Sequence, residues 1–486
     1  MTSNTVRDPR RWWILVVLCL SLLVLVVDNT VLNLAIPALM RDLGATPADI
    51  QWIIDSYILV FAGLLLTAGS LSDRYGRRRA LVVGLALFGG ASALAMLATE
   101  PWQLIGARAL MGVGGSVVMP STLSILITVF DEEERRKAFA AWGSVAMVGV
   151  IAGPTIGGFL LRNFYWGSVF LLNIPVAALA IVAALVLMPE SFGAARKFDP
   201  LGVVLSVIGM SALVWAVITY PVHGWNLWMV AAAIFGLGGF VFWERRAPHP
   251  MLPLGMFRDR SFSGACFSIV LLSFGTGALM LALTQYLQFV LGYDALQAGV
   301  ALLPYVFAAM VFNGVGAGLG KRVSNRVLIS LGLAVLAGGF AVLATLDSSD
   351  GYGVLVASLV VMGIGGGLAG PAAYATLMGA VPPEHAGVGS ALNDTVQQVG
   401  MALSIAVLGS VLAAAYTTAM PEWAPEAARK SVNVALDSGD PALALAGKEA
   451  FLSAMSMGSA VGAGFALAAA AVALAVLPRK RQLVTV

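Results

Sequence analysis

Fourteen apolar runs, most of about twenty residues and separated by short polar connections, constrain this chain more than any other feature. They lie near 12–36, 49–70, 80–99, 102–127, 138–161, 166–188, 200–220, 225–243, 261–284, 295–317, 326–346, 352–379, 388–412 and 450–477. A helix of that length matches the hydrocarbon thickness of a bilayer, about 30 Å. One soluble core cannot absorb so many runs, because charged residues make up only 11% of this chain against about 25% in soluble domains. The expected solvent is lipid, and the expected fold is an all-α polytopic membrane protein with fourteen transmembrane helices. The first run follows Arg7, Arg10 and Arg11 as a signal peptide would. It is too long for one and lacks a small-residue cleavage site, so it reads as a retained span.

Basic residues give the expected orientation. With the N-terminus inside, 22 of the 28 Lys and Arg residues fall on the inner connections and termini, five fall outside, and Arg108 lies within a span. Both termini are therefore expected in the cytoplasm, and the expected location is a bacterial cytoplasmic membrane. The net charge of +3 reflects that bias and carries no nucleic-acid character. Cys19 and Cys266 both lie in apolar runs, where a thiol behaves as a small hydrophobe, and imply no disulfide.

An internal repeat organises the runs. Met111-Gly112-Val113-Gly114-Gly115 with Pro120 recurs as Met362-Gly363-Ile364-Gly365-Gly366 with Pro371, an offset of 251, while Leu71 and Arg74 match Leu319 and Arg322 at 248. Two six-helix bundles, 1–188 and 261–486, would then flank an inserted helix pair and linker at 189–260. Glycines persist in both halves, whereas Arg108 aligns with Leu359 and Asp73 with Lys321. Charge is concentrated in the N-terminal half.

Polar residues inside apolar runs carry the candidate chemistry. A charged residue at the bilayer centre costs about 2.5–3.5 kcal/mol on insertion scales, so Asp28 should face a cavity or a partner, with a structural carboxyl as the plainer alternative. Arg108 cannot shed its charge and needs an anion or carbonyls. A carboxylate that releases a proton beside Arg108 and binds one away from it would make a coupling switch; a permanent clamp is the alternative. Asp55, one turn from Gln51, is a second protonation or cation-binding candidate, or part of a solvated outer vestibule. Asp394, with Asn393, Gln397 and Gln398, suggests a water-accessible cavity near a helix start.

The inner connection Gly69-Ser-Leu-Ser-Asp73-Arg74-Tyr-Gly76-Arg77-Arg78-Arg79 combines turn glycines with a carboxylate placed to accept at the N-terminus of span 3 and arginines for helix C-termini or acidic partners. Simple positive-inside anchoring is the alternative. Gly149, Gly153 and Gly157 repeat at i, i+4 and i+8 around Pro154, which suits close packing with a hinge or a static kink. Asn33, Tyr57, Phe61, Trp142, Gln285, Tyr286, Gln288, Phe289, Tyr305, Phe312, Asn393 and Gln397 are candidate pocket residues, apolar with a few polar handles.

Together these motifs resemble the major facilitator superfamily, specifically its fourteen-span drug:proton antiporters. The resemblance rests on Asp28-Asn29-Thr30-Val31 through Ala35-Ile36-Pro37, on Gly69 to Arg79, on Arg108 with Gly112, on Gly149 to Gly158, and on Trp166 through Phe170, Asn173 and Pro175. It extends over essentially the whole chain, with Gly167 standing where many relatives carry arginine. It implies that Asp28 and Arg108 couple protons, that Asp73 and Arg74 stabilise one gate state, and that Gly153-Pro154 shapes the antiporter helix.

The expected function is export of bulky amphipathic drugs or antibiotics by alternating access, driven by protons, with no cofactor and no metal. Protons, an amphipathic small molecule and lipid are the expected partners, and the chain is expected to act as a monomer. Export of one self-made natural product or lipid-like metabolite, uptake by the same fold, and a non-transporting scaffold or sensor are the alternatives. No metal-ligand cluster, nucleophile motif or phosphate loop points to an enzyme.

Overall fold

In the computed structural model, the described residues are 9–193, 199–248, 250–252, 254–293, 295–320, 322–346, 352–382, 385–436 and 438–478. Some side chains inside the helices fall outside that description, among them those of Asn33, Pro154, Gln285 and Phe289. Every one of the fourteen apolar runs lies on helix, and there is no strand among the described residues. Eleven described helices are long and apolar enough to cross a membrane, and two shorter apolar stretches, Arg260–Gly275 and Leu303–Leu319, occupy further runs.

The first half opens with α1 (Arg11–Asp42), α2 (Pro47–Tyr75), α3 (Arg77–Met96), α4 (Pro101–Val129) and α5 (Glu132–Asn163). Their ends are chemically marked. Thr46 and Asp49 form a reciprocal capping box at the start of α2, with Pro47 in its first turn. Asp131 accepts from the Glu134 N–H at the start of α5. Gly76, at φ 106°, makes the turn from α2 to α3 in a conformation that favours glycine.

The run at 166–188 is broken into α6 (Ser168–Leu171) and α7 (Asn173–Leu187), because Pro175 removes the N–H that would continue the first turn. Likewise the run at 295–317 becomes α11 (Ala295–Ala301) and α12 (Leu303–Leu319), parted just before Pro304. The inserted pair is α8 (Pro200–His223) and α9 (Leu227–Glu244), and α10 (Arg260–Gln285) follows it.

The helix α10 runs into one turn of π-helix, Tyr286–Val290, closed by the Leu291 N–H to the Tyr286 carbonyl at 3.2 Å. Such turns recur at functional sites. This one carries the candidates Tyr286 and Gln288. The C-terminal part comprises α13 (Asn325–Ala344), α14 (Tyr352–Gly379), α15 (Ala386–Ala419), two short helices α16 (Glu426–Lys430) and α17 (Val432–Leu436), and α18 (Pro441–Val476). The connection between the runs at 388–412 and 450–477 is largely helical: α15 persists through its alanines, and α18 starts early on an Asp440 cap with Pro441.

Two compact units result. The first comprises Met1–Ser263 with Tyr374–Val396, and the second Gly264–Ala373 with Gln397–Val486. In the first, α1 packs on α5 and α7, α3 on α4 and α7, and α2 on α4 and on α8. The inserted pair is thus docked on the N-terminal helices, with Ser211 of α8 donating to the Leu59 carbonyl of α2 at 3.4 Å. In the second, α13 packs along α18.

Candidate functional site

A buried charge pair lies at the centre of the first unit. Asp28 of α1 is 4% exposed and Arg108 of α4 is 1% exposed. The guanidinium donates to Asp28 Oδ2 at 2.5 Å and to Asn29 Oδ1 at 3.4 Å, and its Nε donates to the Ile53 carbonyl at 3.4 Å. Its face lies over the Tyr57 ring, 4.4 Å from the centroid, and that ring stacks on Phe61. Sequence and environment agree here. Arginine stays charged, so folding supplies a carboxylate, carbonyls and a ring face together. Removing one member of such a pair costs about 3–5 kcal/mol because the other is left as a buried charge.

The other carboxylate oxygen is occupied as well. Asn173, the first residue of α7 and fully buried, donates from Nδ2 to Asp28 Oδ1 at 2.7 Å and to Ser92 Oγ of α3 at 3.1 Å. Ser92 Oγ in turn donates to the Phe88 carbonyl at 2.8 Å. In the sequence Asn173 is legible only as part of a motif, and Ser92 is not singled out at all. The usable signal was an amide in an otherwise apolar run, which needs a polar partner in lipid.

The other carboxylates lie apart from this network. Asp55 accepts from Gln51 Nε2 at 2.8 Å, as their one-turn spacing anticipates. Asp394, 3% exposed in α15, accepts from Asn393 Nδ2 at 3.1 Å, and its Oδ2 has no hydrogen-bond partner among the described residues.

At the turn between α2 and α3, one expectation is corrected. Asp73 does not accept at the N-terminus of span 3. It takes Arg77 Nε and Nη2 at 2.9 and 2.7 Å on Oδ1, and it accepts the Gly387 and Val388 N–H groups at 2.9 and 3.2 Å. The carboxylate thus serves the first turn of α15, where free N–H groups and the helix dipole favour an anion. Gly69 and Gly387 permit the approach: a Cβ on Gly69 would stand 2.5 Å from the Gly387 carbonyl oxygen.

The N-terminus of α3 is capped instead by Glu190, whose Oε1 accepts from Arg78 N at 3.0 Å and whose Oε2 lies 3.7 Å from Nε of both Arg78 and Arg79. Gly76 is needed here, since a Cβ would meet the Glu190 carboxylate at 2.8 Å. Arg74 is exposed and lies against the Tyr75 ring. It takes no part in the Asp73 network.

Residues 18–405 match the sequence pattern of the Major Facilitator Superfamily. The chain belongs to that superfamily. It is similar to the multidrug efflux pump LfrA of Mycolicibacterium smegmatis, 37% identical over 85% of this chain and 84% of that protein. It is also similar to the tetracenomycin C resistance and export protein of Streptomyces glaucescens, 32% identical over 96% of this chain and 91% of that one. The crystal structure of the human organic anion transporter MFSD10 shares the fold, with a TM-score of 0.66 at 13% identity, covering 96% of this chain and 100% of that chain. The chain is accordingly a multi-pass membrane protein, and Asp28, Asp73, Arg108, Asn173 and Asp394 all fall inside the superfamily match.

Within this superfamily member the glycine motifs act as packing surfaces. Gly149, Gly153 and Gly157 of α5 face Val26, Thr30 and Val31 of α1, so α5 lies close along the helix that carries Asp28. A Cβ on Gly112 would stand 2.7 Å from the Tyr57 carbonyl oxygen, and one on Gly115 would stand 2.9 Å from Tyr57 Oη. In the second unit Gly363 meets the Tyr305 carbonyl in the same way, and a Cβ on Gly366 would lie 3.6 Å from Tyr305 Oη.

The pocket candidates are divided between the units. Tyr57, Phe61, Trp142 and Asn393 belong to the first, with Tyr57 and Phe61 stacked 5.7 Å apart. The buried Trp142 indole N–H has no partner among the described residues. Tyr286, Gln288, Tyr305, Phe312 and Gln397 belong to the second. The side chains of Asn33, Pro154, Gln285 and Phe289 lie outside the described ones.

Proposed function

We propose that this chain is a proton-coupled antiporter that exports bulky amphipathic small molecules, with Asp28 and Arg108 as the coupling pair. The supporting observation is the buried pair itself, carried on two helices long and apolar enough to cross a membrane, where charge is costly. As a carboxylate, Asp28 holds Arg108. A proton arriving on Asp28 removes that attraction, and the guanidinium retains the Ile53 carbonyl, the Asn29 amide oxygen and the Tyr57 ring as neutral partners. Protonation therefore exchanges one stable set of contacts for another, as a two-state transporter requires.

Asp55 and Asp394 serve as further proton sites or recognise substrate charge. Asp73, held by Arg77 and the first turn of α15, stabilises one gate state and leaves Arg74 to the surface. Tyr57, Phe61 and Trp142 in the first unit, and Tyr286, Gln288, Tyr305 and Phe312 in the second, are candidate substrate contacts, each taken within its own unit. Both termini lie in the cytoplasm of a bacterium, following the basic-residue bias, and the chain works as a monomer without a cofactor. Drug export follows the names of the relatives. The tetracenomycin relative favours a second reading, export of a single natural product, which a compound panel separates from the first.

The test is export of lipophilic cations and neutral antibiotics from proteoliposomes under an imposed proton gradient. Gradient-driven flux that vanishes in Asp28→Asn supports coupling through that carboxylate. Flux unchanged in Asp28→Asn transfers the role to Asp55 or Asp394, and flux indifferent to the gradient overturns antiport.

A further inference from the structure

The amide of Asn173 is saturated on one side and bare on the other. Both Nδ2 hydrogens are spent, one on Asp28 Oδ1 and one on Ser92 Oγ, while Asn173 Oδ1 is buried with no hydrogen-bond partner among the described residues. The orientation is dictated by its neighbours. An ionised carboxylate only accepts, and the Ser92 hydrogen is committed to the Phe88 carbonyl, so the face turned toward both must be the donor face. A buried acceptor left bare beside a titratable group is a costly arrangement in one protonation state. It has a use in the other.

We infer that Asn173 is a positioning residue that reads the protonation state of Asp28, donating through Nδ2 to the carboxylate and turning over to accept through Oδ1 from the acid. The inference rests on Asp28 being the proton site of the proposed antiport. The proton is taken up by a lone pair on Asp28 Oδ1, which changes from acceptor to donor. Rotation of the amide by half a turn then brings Asn173 Oδ1 to that O–H, and no other bond is made or broken covalently. When the proton leaves to water, the amide turns back.

The turn has a mechanical consequence. In the carboxylate state Asn173 ties α1, α7 and α3 through Asp28 and Ser92. In the acid state the Nδ2 bond to Ser92 is released, so proton binding loosens α3 from α1 at the same moment as it frees Arg108. Among the described residues the charged and titratable groups facing this carboxylate are Arg108 on α4 and Tyr57 on α2. Asn173 on α7 and Ser92 on α3 are its neutral polar neighbours, and α5 presents glycines.

The test uses the full chain in proteoliposomes with ethidium as probe, comparing the intact protein with Asn173→Leu, which keeps the volume and removes the amide. Loss of an N–H donor to the anion makes ionisation harder, so the pH midpoint of gradient-driven export is expected to move upward by about one unit, a tenfold change in proton affinity. Ethidium–ethidium exchange at fixed pH, which moves no net proton, should persist and reports a folded carrier. Reduced export at every pH with an unmoved midpoint overturns the inference while leaving proton coupling intact. Export by the intact protein that ignores the gradient overturns the coupling reading itself. A second measurement needs no variant: with isotopically labelled asparagine, acidification should shift one amide carbonyl band in the infrared spectrum as the Asp28 carboxylate band disappears, and a spectrum without that shift overturns the amide turnover.

Discussion

The two halves of the chain repeat one packing device and differ in what it supports. In the first half Tyr57 is pressed against Gly112 and Gly115, and in the second Tyr305 is pressed against Gly363 and Gly366. Behind each pair the neighbouring helix makes the same crossing, Gly84 against Gly114 and Gly332 against Gly365, where a Cβ on the α4 or α14 glycine would come within 2.8 or 2.6 Å of the facing carbonyl. Yet Tyr57 carries a guanidinium on its face, and the position matching Arg108 is the fully buried Leu359. The shared part is the close helix approach that small residues permit in lipid. The charge is an addition to one copy, which separates packing from chemistry within a single chain.

That separation is broken most severely by Arg108→Leu, which gives the first half the residue of the second. Asp28 would remain buried on Asn173 without its cation, so gradient-driven export is expected to fall by more than about a hundredfold. The same variant should lower unfolding stability by about 3–5 kcal/mol, the usual cost of orphaning one partner of a buried pair. Adding Asp28→Asn should recover most of that stability and none of the export. Thermal unfolding in detergent read beside proteoliposome flux checks both. Export retained in Arg108→Leu would show that the charge asymmetry between the halves is not the coupling element.

How much of this is legible in the sequence follows from which forces are local. The fourteen runs were readable because hydrocarbon thickness is a length, and Asp28 and Arg108 stood out because ionised groups are rare in such runs. The breaks at Leu172 and Leu302 were written in Pro175 and Pro304, yet continuous hydropathy hid them. Asp73 was assigned to the nearest helix start in sequence, whereas the N–H groups it accepts lie 314 and 315 residues away. Glu190 was invisible for the complementary reason: a loop carboxylate gives no signal until folding sets it against Gly76 and Arg78. The π turn after Gln285 has no residue signature at all.

A smaller effect sharpens the shared half of the comparison. A methyl group on Gly112 or on Gly363 runs into a tyrosine backbone carbonyl, which no rotamer change can relieve. Gly112→Ala and Gly363→Ala should therefore destabilise by similar amounts, about 1–3 kcal/mol each, as overpacking generally does. Chemical unfolding of the two variants in one detergent measures the difference. A gap of more than about 2 kcal/mol between them would mean that the two crossings are not equivalent.

The finest discrimination comes from the second glycine of each pair. On Gly115 a methyl group would stand 2.9 Å from Tyr57 Oη, close enough to push the ring, whereas on Gly366 it would stand 3.6 Å from Tyr305 Oη, an ordinary van der Waals separation. Gly366→Ala is then expected to be nearly neutral, within about 0.5 kcal/mol of the parent in stability and unchanged in export. Gly115→Ala moves the ring beneath Arg108 and weakens a cation–π contact worth about 1–2 kcal/mol when desolvated, so export should slow several-fold while the fold persists. The two substitutions share a helix context and differ in the clearance to the tyrosine hydroxyl and in the residue over the ring. Equal loss of export in both variants would place the effect in the shared helix packing; loss confined to Gly115→Ala is the outcome expected from displacing the ring that carries Arg108.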